Sequence, residues 1–359
     1  MPPRQISSVT FEHHPTGFGI GHASPRLSWR FSANDSDSKN WTQEAYEIHI
    51  RRQNSTDDET YHVKSSESVL VPWPSQALQS REIAWVRVRS HGVVKDEAGR
   101  VTKEYTEWSR QVAVEVALLE KGDWTAKLTT TRVVPSRDKT IRPTLFRRVF
   151  SLPEYSAPIS TARLHITAHG IYEAFINGLR VGDEEMAPGW TSYNHRLVYR
   201  TFDVTEHLLI DKSNVIGVEV AEGWFAGHLG MDKKRCIYGD RIAFLAQLEV
   251  VFKNGRKYYI ASDETWKSHN SPISRSEIYD GEDYDARQEE TGWSRDSHFD
   301  ESAWSSTEEL PFPSARLVTS DSPPVRKKEE MSPIRIFKSQ SGKTLIDFSQ
   351  NLVDRKSVV

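Results

Sequence analysis

Residues 163–205 read RLHITAHGIYEAFINGLRVGDEEMAPGWTSYNHRLVYRTFDVT, and their pattern decides the fold. Residues 163–168 and 172–176 alternate apolar with polar side chains, the period-two signature of strands with one buried face. Asn177-Gly178 stands between 172–176 and 179–181. That dipeptide suits the two positive φ angles of a type I′ turn, so it predicts a hairpin. Residues 197–204 form the next expected strand, and Thr205 is expected to cap a short helical turn reaching Leu209. Further on, 214–221 alternates again. In 241–252, Ile242, Phe244, Ala246, Leu248, Val250 and Phe252 share one face. Asn254-Gly255 then turns the chain into 257–261. So many strands without one long amphipathic helix predict an all-β protein, with a jelly-roll β-sandwich over residues 121–308.

Working outward, residues 1–120 predict a smaller β-sandwich of fibronectin-III-like or immunoglobulin-like type. LSWRF at 27–31, AYEIHI at 45–50 and IAWVRVR at 83–89 alternate in the same way, and Val112, Val114 and Val116 follow Trp108-Ser109. Polar runs at 34–40 and 53–59 connect them. A joint is expected at 118–124 and a loop at 129–143. Residues 309–359 read as a linker and the incomplete start of a third β domain. The stretch 306–330 is rich in proline and carries the run Arg326-Lys327-Lys328-Glu329-Glu330, and two short strands are expected at 334–337 and 344–348. About thirty residues cannot enclose a core alone.

The 359 residues hold 47 Lys and Arg against 50 Asp and Glu, a net charge of −3. Without a basic surplus, nucleic acid is not an expected partner. Cys236 is the single cysteine, so no internal disulfide can form. The start of the sequence has no apolar leader, and no run is long enough to span a membrane. A cytoplasmic location is expected, with the sequons at Asn34, Asn40 and Asn54 unused. The eleven tryptophans are read mainly as core anchors. An aromatic left at the surface can also carry a sugar ring.

YEAFING at 172–178, VGDE at 181–184, APGWT at 187–191, YRTFDVT at 199–205, AEGWFAG at 221–227, IYGDR at 237–241 and SEIYDGE at 276–282 with YDAR at 284–287 occur in one order. Together they resemble the N-terminal region of the bacterial-type α-L-rhamnosidases, glycoside hydrolase family 78. PRLSW at 25–29 and WVRV at 85–88 resemble that family's leading fibronectin-like module. PPVR at 323–326 and DFSQNLV at 347–353 resemble the entry to its next β domain. The resemblance implies hydrolysis of terminal α-L-rhamnose from glycosides by the whole enzyme. It places the catalytic carboxylates in a later (α/α)₆ barrel, for which no segment of this sequence is suited. Ser349 and Asp354-Arg355-Lys356 depart from the family pattern, and the chain is expected to stop short of the barrel. That barrel would be its packing partner.

No residue is assigned as catalytic. Glycoside hydrolysis needs two carboxyl groups across a sugar, ~5–5.5 Å or ~6.5–9.5 Å apart. Asp283 and Asp285 would share a strand face, but nothing in the pattern sets an acid against a base. Calcium is the one cofactor considered, with Asp280, Glu282 and Asp283 as candidate oxygen ligands. The segment lacks the full twelve-residue EF-hand pattern. Some accessory jelly rolls of the resembled family bind rhamnose with calcium. The candidate carbohydrate contacts are Asp183, Trp190, Asn194, Trp224 and His228, where two Gly-Trp corners stand near polar groups. His13, His14, His165, His169 and His195 do not make a closed zinc set with Cys236. No phosphate loop, dinucleotide fingerprint or nucleophile elbow is present. The reading is therefore the accessory β region of a rhamnosidase. A free-standing carbohydrate-binding module and an inert interaction fragment are the alternatives.

Overall fold

The structure, a computed structural model, describes residues 5–32, 41–95, 99–137, 139–153 and 157–351. The polar connection at 34–40, the sequons at Asn34 and Asn40 and the departure at Asp354-Arg355-Lys356 lie outside them. The protein is all-β, as expected, and among the described residues no helix is long and apolar enough to cross a membrane.

In the N-terminal sandwich, Ile6–Phe11 pairs antiparallel with Leu27–Phe31. Facing this pair is a sheet in the order Phe18–Ile20, Val112–Val116, Ile83–Lys95, Trp41–Arg52, Asp58–Val63, with Val101–Tyr105 also paired to Ile83–Lys95. The alternation predicted from the sequence sends Ile48, Ile50, Val86, Val88 and Val114 inward, where all are fully buried. Trp29 packs edge-on against Tyr46 at 4.8 Å between ring centroids. Its indole N–H donates to Gln43 Oε1 at 3.2 Å, the partner a buried tryptophan needs.

In the larger sandwich, Leu179–Arg180, Ile171–Ile176, Ser213–Ala221, Thr144–Ser151 and Lys267–Asn270 lie side by side. Leu128–Thr131, Ala243–Phe252, Ile159–His169 and Arg196–Asp203 form the facing layer. Phe146, Leu164, Ile176, Val218, Phe244 and Leu248 fill the core between them. The predicted turn is present, with φ of 53° at Asn177 and 80° at Gly178. Asn177 does more than turn. It donates from Nδ2 to His207 O and Asn214 Oδ1, both at 2.8 Å, and accepts from the Val215 N–H at 2.9 Å.

Three segments differ from the reading above. Leu128–Thr131, which overlaps the start of the expected loop 129–143, is a strand. Within the Pro-rich stretch 306–330, Ser305–Leu310 joins the two layers by pairing with Lys267–Asn270 and with Leu128–Thr131. Arg316–Thr319 adds a parallel strand beside Arg196–Asp203, so the large sheet extends past residue 308. These strands read LTTT, SSTEEL and RLVT, and their order comes from neighbours' backbone groups rather than from an apolar face. Thr205 opens a 3₁₀ turn ending at His207, but it does not cap that turn. Its hydroxyl accepts instead from the Ala162 N–H at 2.9 Å and donates to Asp203 at 2.6 Å.

The two sandwiches share a small apolar cluster that includes Leu118, Trp124, Leu128, Tyr199 and Leu245. Ala243–Phe252 is thus covered on both faces. Arg81 crosses the joint, donating to Glu249 Oε2 at 2.7 Å and Oε1 at 2.8 Å, and to Asp123 Oδ1 at 2.8 Å. Arg163 reaches back to Glu115 with contacts of 2.6 and 3.0 Å. Two separate bidentate ion pairs fix orientation more firmly than apolar contact alone.

Candidate functional site

The end of the strand Ser213–Ala221 leads into one helical turn, Gly223–Ala226. Gly223 has φ of 46°, and a Cβ there would meet Ile171 Cγ2 at 2.6 Å, so the corner requires glycine. The turn presents Trp224 on one side and carries the fully buried Glu222 on the other. Trp190 follows Gly189, whose φ is 99°. It remains 56% exposed, although it is among the largest apolar side chains in the protein. The indoles of Trp190 and Trp224 lie parallel within 5°, with centroids 6.2 Å apart. They border a cavity of about 540 Å³ whose walls also include Met186, Arg196, Tyr199 and Arg200. His22 of the N-terminal sandwich and the segment 316–325 close its far side. Flat aromatic surface beside cationic and hydroxyl donors, in a space of this size, suits a sugar-sized polar ligand.

The structure therefore brings Trp190 and Trp224 together and leaves the other sequence candidates apart. Asp183 accepts from Arg326 at 2.7 Å at the rim of a second cavity of about 320 Å³. Asn194 is exposed and borders neither cavity. His228 is buried, with its ring parallel to Tyr279 at 5.1 Å. Its Nδ1 lies 3.6 Å from Glu277 and 3.7 Å from Asp280. Asp283 is ion-paired with Arg275 at 2.8 Å, while Glu282 is exposed one residue earlier on the same strand. Adjacent strand residues point to opposite faces, so Glu282 and Asp283 diverge. Among the described residues, Asp280, Glu282 and Asp283 do not converge on a common point as metal ligands.

Beneath Trp224 is a cluster that the sequence reading missed. Arg235 contacts Glu222 and, at 2.6 Å, Glu277. Glu222 also accepts from the Ile141 N–H at 3.2 Å, and Glu277 from the His228 N–H at 2.8 Å. One guanidinium serves two buried carboxylates. Burial, with the charge of Glu277 adding to it, pushes the Glu222 carboxyl up to about 7 against the pull of Ile141 and Arg235. Neither carboxylate lines the two cavities described here. The arrangement can tie the 222–236 and 277–280 loops together, and it does not set an acid and a base across a sugar. Only the AEGW corner hinted at it, because Glu222 and Glu277 are too far apart in sequence to share a local pattern.

Two histidines weighed for zinc pack within the sandwich, His165 buried and His169 half-buried. His165 bonds Thr201 at 3.0 Å, and His169 stacks on Phe225 at 4.3 Å. Burial lowers the pKa of each to about 4, so both rings stay neutral.

Residues 157–329 match the α-L-rhamnosidase N-terminal domain, and residues 6–120 match the N-terminal immunoglobulin domain of Rha78A-like proteins. An α-L-rhamnosidase of Alteromonas sp. (strain LOR) is 32% identical over 355 residues, covering 95% of this chain and 37% of that protein. One from Formosa agariphila is 37% identical over 302 residues, covering 80% of this chain and 31% of that protein. Among solved structures, the α-L-rhamnosidase of Aspergillus terreus superposes with a TM-score of 0.86 at 48% identity, covering 97% of this chain and 39% of that one. The chain thus spans well under half the length of these relatives.

Proposed function

We propose, since the chain belongs to the α-L-rhamnosidase family of glycoside hydrolases and carries its N-terminal domains, that it is the non-catalytic β region supporting hydrolysis of terminal α-L-rhamnose from glycosides. In this role the two sandwiches form a scaffold on which a catalytic domain packs. The observation that carries the reading is the match of nearly the whole chain to only 37% or less of the curated relatives' length. The surface supports the packing role. In the hairpin of Arg335–Lys338 with Thr344–Asp347, Ile336 is exposed to 63% and Leu345 to 42%, and Ile334 just before it to 67%. An isolated two-stranded hairpin with apolar side chains in water is marginal, and a packed neighbour would stabilise it.

The test is an assay of the purified chain on a chromogenic α-L-rhamnoside. No turnover is expected, and turnover that survives further purification would overturn the non-catalytic assignment. The paired Trp190 and Trp224 favour a second role, contact with the rhamnose-bearing glycoside. Calorimetric titration of rhamnose, with calcium and with chelator, tests it. Heat in either condition supports sugar contact, and heat only with calcium would make that contact calcium-dependent. Silence in both removes the sugar-binding role.

A further inference from the structure

The outer face of the N-terminal sheet carries a convergence of side chains that borders neither the 540 Å³ nor the 320 Å³ cavity. Glu47 lies on Trp41–Arg52, between Asp58–Val63 and Ile83–Lys95. Register sets it directly opposite His62 on one side and Arg89 on the other. His91 is two residues beyond Arg89 and so points to the same face. Tyr46 and Ile48 face the core, which leaves this row outside it. Three strands thus deliver two imidazoles and a carboxylate to one point, with a register shift between Gln43 and Ala45 beside His91.

From this geometry we propose that Glu47, His62 and His91 form a binding site for a borderline divalent cation such as Zn²⁺, with a fourth position open to solvent. The ligand atoms of the three residues all lie within 4.8 Å of one another. His91 Nε2 is 2.9 Å from Glu47 Oε1, and His62 Nδ1 is 3.7 Å from the same oxygen. Ligands at zinc's usual 2.0–2.1 Å in a tetrahedron stand about 3.3 Å apart, so the two distances bracket the required edge. His62, with 60% of its side chain exposed, has room to turn toward the shared oxygen. His91 Nε2 is buried and has no hydrogen bond of good geometry despite its nearness to the carboxylate. A lone pair directed at a shared cation would account for that approach.

Arg89 orients the carboxylate. Its Nε and Nη2 bind Glu47 Oε2 at 2.9 and 2.8 Å. The carboxylate is thereby fixed with Oε1 turned toward the imidazoles, the way outer partners orient metal ligands. The ring of Tyr105 meets His91 edge-on at 4.7 Å and limits its rotation. Beside the site is a cavity of about 240 Å³, bordered also by Lys64 and Lys103. Glu44 and Glu104 border it as well, so the lining is balanced in charge and the open position is left to water. The donor set of two imidazoles and one carboxylate favours zinc and its neighbours over calcium or magnesium, which prefer oxygen alone.

The experiment uses the full chain, freed of metal by chelator and titrated with Zn²⁺ by calorimetry, beside H62A, H91A and the double variant. Circular dichroism verifies that each variant folds. His62 side-chain exposure is 60%, so H62A removes a ligand without opening the core. The wild type is expected to take up one Zn²⁺ at this site, and each single variant to bind it at least about tenfold more weakly. With Co²⁺ in place of Zn²⁺, visible d–d absorption is expected from the wild type and not from the double variant. H298A, at a histidine whose side chain is 95% exposed and lies outside this face, serves as a control and should bind as the wild type does. Failure of the wild type to bind, or binding that the double variant retains, overturns the proposal.

Discussion

Replacing Glu222 by Gln tests the buried cluster beneath Trp224. Glu222 is fully buried, and its carboxyl is raised from 4.5 to about 7 by burial and the nearby charge of Glu277. Between those values the folded protein keeps a proton that the unfolded chain has lost. Stability therefore falls as pH rises through this window and levels off above about 7. The full effect is about 3 kcal/mol, from ~1.4 kcal/mol for each pH unit of the shift. Part of it is already present at pH 5, so roughly 2–3 kcal/mol should appear between pH 5 and pH 8. Gln keeps the shape and an acceptor for Arg235 but cannot ionise, and Arg235 keeps Glu277. Other titrating groups are common to both proteins and cancel in the comparison. Urea unfolding followed by tryptophan fluorescence, at pH 5, 6, 7 and 8, gives the difference directly. The variant should gain steadily on the wild type toward pH 8, by about 1 M in midpoint at an ordinary urea dependence. A difference that stays constant across the range, or that widens toward acid, would refute the reasoning.

Trp190→Ala should change stability by no more than about 0.5 kcal/mol, because the indole is largely exposed, yet it should abolish any calorimetric signal for rhamnose. Arg147→Met should cost about 3–5 kcal/mol by thermal unfolding. The buried guanidinium donates to the carbonyls of Trp293 at 2.7 Å and Asp296 at 2.8 Å and pairs with Glu301, so the variant leaves these acceptors without it. Arg81→Ala should cost about 2–4 kcal/mol, below the full penalty for a buried pair because the arginine is partly solvated. It should also make residues 115–126 more sensitive to limited proteolysis, since Glu249 then faces the joint without its partner. Unchanged proteolysis in that variant would show that the apolar cluster around Trp124 holds the joint unaided.

The strands that carry the core were legible because burial of one face writes itself as alternation. Phe244, Ala246, Leu248 and Val250 show it, and Asn177-Gly178 could be read as a turn because few residues accept two positive φ angles. Strands such as Ser305–Leu310 were not legible, since a polar strand that bridges two layers gains its order from partners far along the chain. The site followed the same division. Trp190 and Trp224 could be marked from their Gly-Trp corners, but their parallel stacking could not. Asp280, Glu282 and Asp283 are neighbours in sequence and yet diverge in space, because a strand sends consecutive side chains apart.

By itself the sequence determined the fold class, the hairpin at Asn177-Gly178 and the family, each of which rests on local backbone preference or on motifs in fixed order. Tertiary structure alone decided which distant side chains meet. Glu222, Arg235 and Glu277 share one buried cluster, and Glu47, His62 and His91 share one sheet face. The physical reason is that charge and ligand geometry depend on distances of a few ångströms, which sheet register and loop closure set across tens of residues. Local sequence encodes which face of a strand is buried. It does not encode which strand lies alongside.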